Sequence, residues 1–102
     1  MNTKDDYTKE DFFEEFGELS FGEALEGYRL GEEISQKEFA LMLGISRSSL
    51  CDIEKGRKVP SIKRAKRIAN LIERPEATWA KLAISDMLKR EGLKYKVSLT
   101  AY

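Results

Sequence analysis

The chain has 102 residues, of which 41% are hydrophobic, and this suits one small domain with a modest core. It holds no histidine and one cysteine, which excludes the usual zinc sites, an internal disulfide and histidine-dependent nucleophile pairs. Its 18 basic and 18 acidic residues balance, but residues 1–33 carry a net charge of −8 and residues 34–102 carry +8, which indicates a basic surface for an anionic partner.

The chain also lacks the usual marks of a membrane, secreted or phosphate-binding protein. No apolar run approaches the roughly 18 residues of a membrane span. The acidic start, MNTKDDYTKEDFFEE, is not a signal peptide, and one cysteine fits a reducing cytoplasm. A glycine-rich phosphate loop is absent, and only a carboxylate-based enzyme remains conceivable. We expect a cytoplasmic, nucleoid-associated protein that is not an enzyme, has no cofactor or metal, and does not bind membranes.

Residues 1–19 form the first predicted unit, an acidic N-terminal arm with scattered aromatic residues. Thr8 and Asp11 suit the start of a short helix that Gly17 would end. A helix this short is marginal alone. Two alternatives stay open: a tail that is frayed or packed on the domain, and a segment that binds a partner.

The second predicted unit, residues 20–74, begins with three helices. Ser20 and Glu23 form a capping box before a helix over residues 21–32, whose three glycines would weaken it. Ser35 opens a second helix of about eight residues, which Gly44 ends through a left-handed conformation. Ser46 caps a third helix. The expected inward residues are Phe21, Ala24, Leu25, Tyr28, Phe39, Ala40, Leu43, Ile45, Leu50 and Ile53.

Ser61 caps a fourth helix, which completes the second unit. The third unit, residues 75–102, starts at Pro75, which suits the first position of a fifth helix over about residues 76–90. Gly92 ends that helix. Residues 93–100 then alternate apolar and polar side chains, which predicts a short strand. The apolar stripe of the fourth helix consists of Ile62, Ala65, Ile68, Ala69 and Ile72, and the fifth helix carries Trp79, Ala80, Ala83, Ile84, Met87 and Leu88.

The sharp corner at Gly44 makes a helix-turn-helix unit, in which the second helix enters the DNA major groove. Arg47 suits guanine and Ser48 is versatile. Asp52 either accepts from a cytosine amino group or pairs with a neighbouring basic side chain. The candidate base-reading residues are Arg47, Ser48 and Asp52. The candidate phosphate-binding residues are Gln36, Ser46, Ser49, Lys55, Arg57 and Lys58.

Two further features of this region have open interpretations. Lys63, Arg64, Lys66 and Arg67 either join the phosphate contacts or form a solvated helix face. Cys51 is either a redox switch on the DNA face or a small packing residue.

The stretch SQKEFALMLGISRSSLCDIEKGRKVPS resembles the helix-turn-helix core of the Cro/C1 (Xre-type) repressor family, with Phe39 in place of the usual leucine. The resemblance covers about residues 21–72 and implies an all-α, five-helix repressor-like bundle. It places Gln36, Ser46, Lys55 and Arg57 at phosphate positions. It places Arg47, Ser48 and Asp52 at base-reading positions. It also implies a buried structural bridge between Arg29 and Glu54.

The segment after the core predicts partners. A lone strand needs a second copy to pair with, so we expect a homodimer on an inverted-repeat operator. The expected dimerisation residues are Trp79, Leu93, Tyr95, Val97 and Leu99. The size and the acidic arm resemble HigA-type antitoxins, which implies a basic ribonuclease toxin as partner. The alternatives are a stand-alone phage-type or chromosomal repressor and a protein-interaction module without DNA binding.

Overall fold

The computed structural model describes residues 19–100, and within them the chain is entirely helical apart from turns and loops. The helices are α1 (Phe21–Gly31), α2 (Gln36–Leu43), α3 (Arg47–Glu54), α4 (Ile62–Leu71) and α5 (Glu76–Arg90). The expected five-helix, all-α bundle is therefore confirmed for this part of the chain. The helix predicted within residues 1–19, and nearly all of the acidic arm, lie outside the described residues.

Serine hydroxyls start four of the five helices, as the sequence predicts. Ser20, Ser35, Ser46 and Ser61 each accept a hydrogen bond from the backbone N–H three residues further on. At α1 the box is complete, because Glu23 also accepts from the Ser20 N–H at 2.9 Å. Pro75 occupies the N-cap position of α5, one residue before the expected place.

The core lies where all five helices meet. α3 packs against α1 and α2, while α5 packs chiefly against α4 and also reaches α1. The side chains of Phe21, Phe39 and Leu50 are completely buried. The core comprises Phe21, Leu25, Phe39, Ala40, Leu43, Leu50, Ile53, Ala65, Ile68, Ala69, Ile72, Trp79, Leu82 and Ala83. α3 is thus held on its inner side by apolar contacts, and its other side is left for polar groups.

Trp79 belongs to this core. Its side chain is 7% exposed, and its ring meets that of Phe21 edge to face with centroids 5.3 Å apart. Such a pair stabilises by about 0.5–1.5 kcal/mol beyond the area buried. The expected role of Trp79 in dimerisation stays a prediction, and in the single chain little of its surface is left for a partner.

The predicted C-terminal strand is not formed among the described residues. Residues 93–100 contain no strand, and the backbone after α5 turns at Gly92, whose φ is +72°. Leu93, Tyr95 and Leu99 are exposed, and Val97 is half-buried. Alternation of side chains is a local property, whereas a strand exists only as part of a hydrogen-bonded ladder. A single chain offers this segment no ladder, so the strand prediction is wrong for the isolated chain.

Candidate nucleic-acid interface

The corner between α2 and α3 is built by Gly44. Its φ of +70° is the left-handed conformation that glycine adopts without steric cost. The N–H of Ile45 then bonds to the carbonyl of Ala40 at 3.0 Å, which closes the end of α2. Two residues later Ser46 already caps α3. The turn is therefore as short as the sequence predicts, and it separates α3 from α2 within three residues.

The N-terminal half of α3 presents polar groups outward. The side chains of Arg47 and Ser48 are exposed and form no hydrogen bond or ion pair within residues 19–100. The Ser46 hydroxyl accepts from the Ser49 N–H at 2.9 Å and donates to the Ser49 hydroxyl at 3.0 Å. Ser46 is consequently engaged in capping, whereas Ser49 still has its own hydroxyl hydrogen to donate. These two serines lie beside the exposed pair.

The C-terminal end of α3 is anchored by the expected bridge between Arg29 and Glu54. The Glu54 side chain is completely buried, and its oxygens accept from Arg29 Nε at 2.7 Å and Nη2 at 3.1 Å. Arg29 also donates to the Ile34 carbonyl at 3.0 Å. The hydrogen bond with Glu54 raises the pKa of the Arg29 guanidinium, so this cation stays charged. The bridge fixes α1 to α3.

Gln36 completes this buried network. Its Nε2 donates to Glu54 Oε1 at 2.9 Å, which orients the amide at the N-terminus of α2. An amide nitrogen carries two hydrogens, so one remains for a second acceptor. This candidate phosphate ligand is therefore held in place by the same carboxylate that ties α3 to α1.

Asp52 pairs with the cations that follow α3. Its Oδ1 accepts from Arg57 Nε at 2.8 Å, and its Oδ2 lies 3.7 Å from Lys58 Nζ. The hydrogen bond from Arg57 holds the pKa of the Asp52 carboxyl below its usual value. Of the two alternatives that the sequence left open for Asp52, the structure contains the ion pair with neighbouring basic side chains. Arg57 Nη2 also lies 3.4 Å from the sulfur of the half-buried Cys51.

Residues 55–58 form a basic loop directly after α3. The N–H groups of Arg57 and Lys58 both bond to the Asp52 carbonyl, at 2.8 and 3.1 Å. The side chains of Arg57 and Lys58 remain 59% and 64% exposed, so they are available to a ligand in spite of their ion pairs. Lys55 is also exposed. The loop therefore presents three cations beside the exposed face of α3.

Two groups outside the expected set hold this loop and the start of α1. Arg90 Nη2 donates to the carbonyls of Gly56 at 3.1 Å and Arg57 at 2.6 Å. One turn earlier on α5, Asp86 Oδ2 accepts from the Phe21 N–H at 2.8 Å, and burial raises the pKa of that carboxyl. A depression of about 160 Å³ lies between these groups and is also lined by Lys58, Val59 and Lys89.

Gly22 determines how closely α1 approaches α3. A Cβ at this position would lie 2.0 Å from the Ile53 carbonyl oxygen and 3.0 Å from that of Glu54. Only a residue without a side chain allows this approach. From the sequence alone Gly22 only weakens its helix, and the contact could not be predicted because the spacing within α1 says nothing about α3.

The basic residues of α4 are exposed, namely Lys63, Arg64, Lys66 and Arg67. Lys66 lies 4.0 Å from Glu76, at the start of α5. Arg67 reaches the Gly44 turn, where its Nη2 would lie 3.5 Å from a Cβ added to the glycine. Within residues 19–100 no group of three or more potential metal ligands is assembled, and no helix there is long and apolar enough to cross a membrane.

Comparison with known proteins assigns the family. A family described as Helix-turn-helix, of the Cro/C1 type, matches residues 25–79, which is more than half of the chain. The chain belongs to this helix-turn-helix family. It is also similar to the "ImmF control region 10 kDa protein" of Bacillus phage phi105, at 45% identity over 51 residues. That similarity spans 50% of this chain and 57% of the phage protein. No solved structure matches the chain significantly.

The helix-turn-helix geometry brings most of the predicted site residues onto one part of the molecule. Arg47, Ser48 and Ser49 lie on α3, while Lys55, Arg57 and Lys58 follow it in the loop. Gln36 is linked to the end of α3 through Glu54. Arg90 and Asp86 were missed, because a hydrogen bond across more than thirty residues has no signal in local spacing.

Proposed function

We propose that this chain is a sequence-specific DNA-binding transcriptional repressor and not an enzyme. One observation carries the proposal: the exposed side chains of Arg47 and Ser48 project from α3 beside a loop with three cations. In this family geometry the second helix of the motif reads base edges, and cations on its flanks bind phosphates. The control-region name of the similar phage protein supports a regulatory role.

We assign residues to base reading or to phosphate binding according to whether their side chains already have partners within the chain. Arg47 and Ser48 have no partner in the described chain, and we assign them to base reading. Lys55, Arg57 and Lys58 are assigned to phosphates, together with Gln36 and the serines at the start of α3. Asp52 would have to give up its ion pairs to read a cytosine. We therefore assign it the role of orienting Arg57 and Lys58.

The test is selection of binding sites from a pool of random duplexes, followed by titrations of the selected site at several salt concentrations. We expect an enriched sequence motif, and an affinity that falls steeply with salt. Arg47→Ala should cost about 1–3 kcal/mol of binding free energy and relax specificity at one base pair. Lys89→Ala, which removes one exposed charge outside the expected contact residues, is the matched control. Absence of any enriched site would leave the protein-interaction module as the better description.

We further propose that the repressor is a homodimer, in which residues 93–100 of two copies pair as strands. Their exposed apolar side chains and the need of a strand for a partner support this. The selected sites should then be inverted repeats. Sedimentation of the whole chain and of a chain truncated after Gly92 provides the test. A truncated chain that stays dimeric would contradict the pairing.

Two cellular settings fit such a repressor. The similarity to a phage control-region protein supports a stand-alone phage-type repressor. The seven acidic residues and several aromatic residues of residues 1–19 support an antitoxin that holds a basic ribonuclease toxin. Co-purification with the product of the adjacent gene, with and without residues 1–19, distinguishes the two. A complex that depends on residues 1–19 supports the antitoxin, and absence of a complex supports the stand-alone repressor.

A further inference from the structure

Arg90 lies outside the matched helix-turn-helix region, yet its guanidinium donates hydrogen bonds to the loop that follows α3. The family match ends at residue 79, and Arg90 is the last residue of α5. Its Nη2 donates to the Gly56 carbonyl at 3.1 Å and the Arg57 carbonyl at 2.6 Å. A charged donor makes hydrogen bonds about twice as strong as those between neutral groups. The contact joins the end of α5 to the backbone of the 55–58 loop.

The loop is also held by α3 itself. The Asp52 carbonyl accepts from the N–H groups of Arg57 and Lys58, and its carboxylate binds the Arg57 side chain. Gly56, with a φ of +76°, makes the turn between these anchors. The backbone of the loop is thus hydrogen-bonded both to Asp52 and to Arg90. The Arg57 and Lys58 side chains are left pointing to solvent.

We propose that Arg90 is a positioning residue for DNA binding, which holds the 55–58 loop so that Arg57 and Lys58 meet the phosphates together. This inference rests on the proposed function, because it concerns the phosphate contacts of a DNA-binding protein. A flexible loop with the same charges would lose conformational freedom on binding DNA. Because Arg90 orders the loop before DNA binds, less conformational freedom is lost on binding. The residues after the matched family region therefore contribute to DNA affinity.

The first measurement needs no DNA. In the Arg90→Gln variant, the amides of Arg57 and Lys58 should exchange with solvent several times faster than in the wild type. Lys89→Gln is the matched control, because it removes the same charge from the neighbouring position, which lines the same depression without contacting the loop carbonyls. Exchange rates in Arg90→Gln that equal those of the control would overturn the positioning role, whatever the chain binds.

The second measurement is binding to a mixed-sequence duplex about two helical turns long, as a function of salt. Phosphate contacts do not depend on sequence, so this probe requires no knowledge of the operator. Each phosphate contact contributes about 0.9 to the slope of log affinity against log salt. Loss of both loop contacts in Arg90→Gln should reduce the slope by about 1.8, so the affinity advantage of the wild type should shrink about tenfold between roughly 50 and 200 mM salt. Lys89→Gln should keep the wild-type slope.

A double-mutant cycle separates positioning from a direct phosphate contact of Arg90. In a chain that already carries Arg57→Gln and Lys58→Gln, Arg90→Gln should change the affinity less than about twofold, because no loop cations remain to position. An equal loss in both backgrounds would show that Arg90 binds phosphate itself and would overturn the inference. If Arg90→Gln does not fold, Arg90→Met replaces it, because methionine keeps the length of the side chain but has no hydrogen-bond donor, and a wild-type slope in that variant counts against the inference. A wild type that does not bind the duplex would instead contradict the proposed function.

Discussion

Gly22→Ala tests whether the approach of α1 to α3 determines the stability of the fold. The added methyl group would lie 2.0 Å from the carbonyl oxygen of Ile53. Ordinary contacts of a Cβ begin at 3.4 Å, so the two helices have to separate by more than 1 Å. The obstacle is the backbone of α3 rather than the end of a flexible side chain, and it cannot rotate away.

The magnitude follows from two opposing effects. An extra methyl group in a well-packed interior destabilises a protein by about 1–3 kcal/mol, and a rigid obstacle places this case at the upper end. Replacement of glycine by alanine inside a helix stabilises it by up to about 1 kcal/mol. We therefore expect Gly22→Ala to lower the free energy of unfolding by about 2 kcal/mol. For a domain of this size, that corresponds to a melting temperature lower by roughly 8–16 °C.

Gly27→Ala is the matched control, because it is the same substitution in the same helix. A Cβ at Gly27 meets nothing within 4 Å, so only the helix propensity changes, and the variant should gain up to about 1 kcal/mol. Urea unfolding followed by circular dichroism gives both values. The reasoning is refuted if Gly22→Ala is as stable as the wild type, or if the two variants shift in the same direction.

Two further predictions concern charged groups in the interior. Arg29→Met leaves the buried Glu54 carboxylate without its cation and should cost about 3–5 kcal/mol of folding free energy. Additional replacement of Glu54 by Met should recover most of this loss. Urea unfolding that shows no recovery in the double variant would contradict the prediction. Burial raises the pKa of Asp86 in the folded state, so the folded state keeps a proton that the unfolded state releases above about 3.8. The wild type should thus lose stability relative to Asp86→Asn as the pH rises from about 3.8 through the higher pKa of the folded state. Unfolding titrations in which the difference in unfolding free energy between the two proteins stays constant, or changes with the opposite sign, would contradict the raised pKa.

The local features of the fold could be predicted from the sequence because their causes are local. The serines that start four of the five helices and the glycine that ends α2 act within one turn of chain, and helical spacing of apolar residues selects the buried face. The bridge of Arg29 to Glu54 was accessible through the family pattern alone, since the two residues are 25 positions apart. The spacing rule failed at Ile62, which is 50% exposed at the first position of α4.

The unpredicted features depend on contacts between distant parts of the chain. Leu82 is buried, although it was not among the apolar residues singled out on α5. A fifteen-residue helix that packs on both α4 and α1 buries a broad face, and apolar spacing alone does not fix where that face is centred. Asp52 shows the same limit in the candidate site. Its position on α3 is typical of base reading, but the loop that follows brings Arg57 to 2.8 Å from its carboxylate.

The two ends of α3 have opposite roles, and this explains why the supporting contacts concentrate at one of them. The C-terminal end is fixed by the close approach of Gly22, by the bridge to Glu54 and by the loop that Arg90 holds. The proposed base reading by Arg47 requires the N-terminal end to stay open. A helix of eight residues is about 12 Å long, so a shift of about 1 Å at its fixed end moves its open end by a similar distance. A binding site tolerates about 0.5 Å. Changes at Gly22 should therefore weaken DNA binding even in molecules that remain folded.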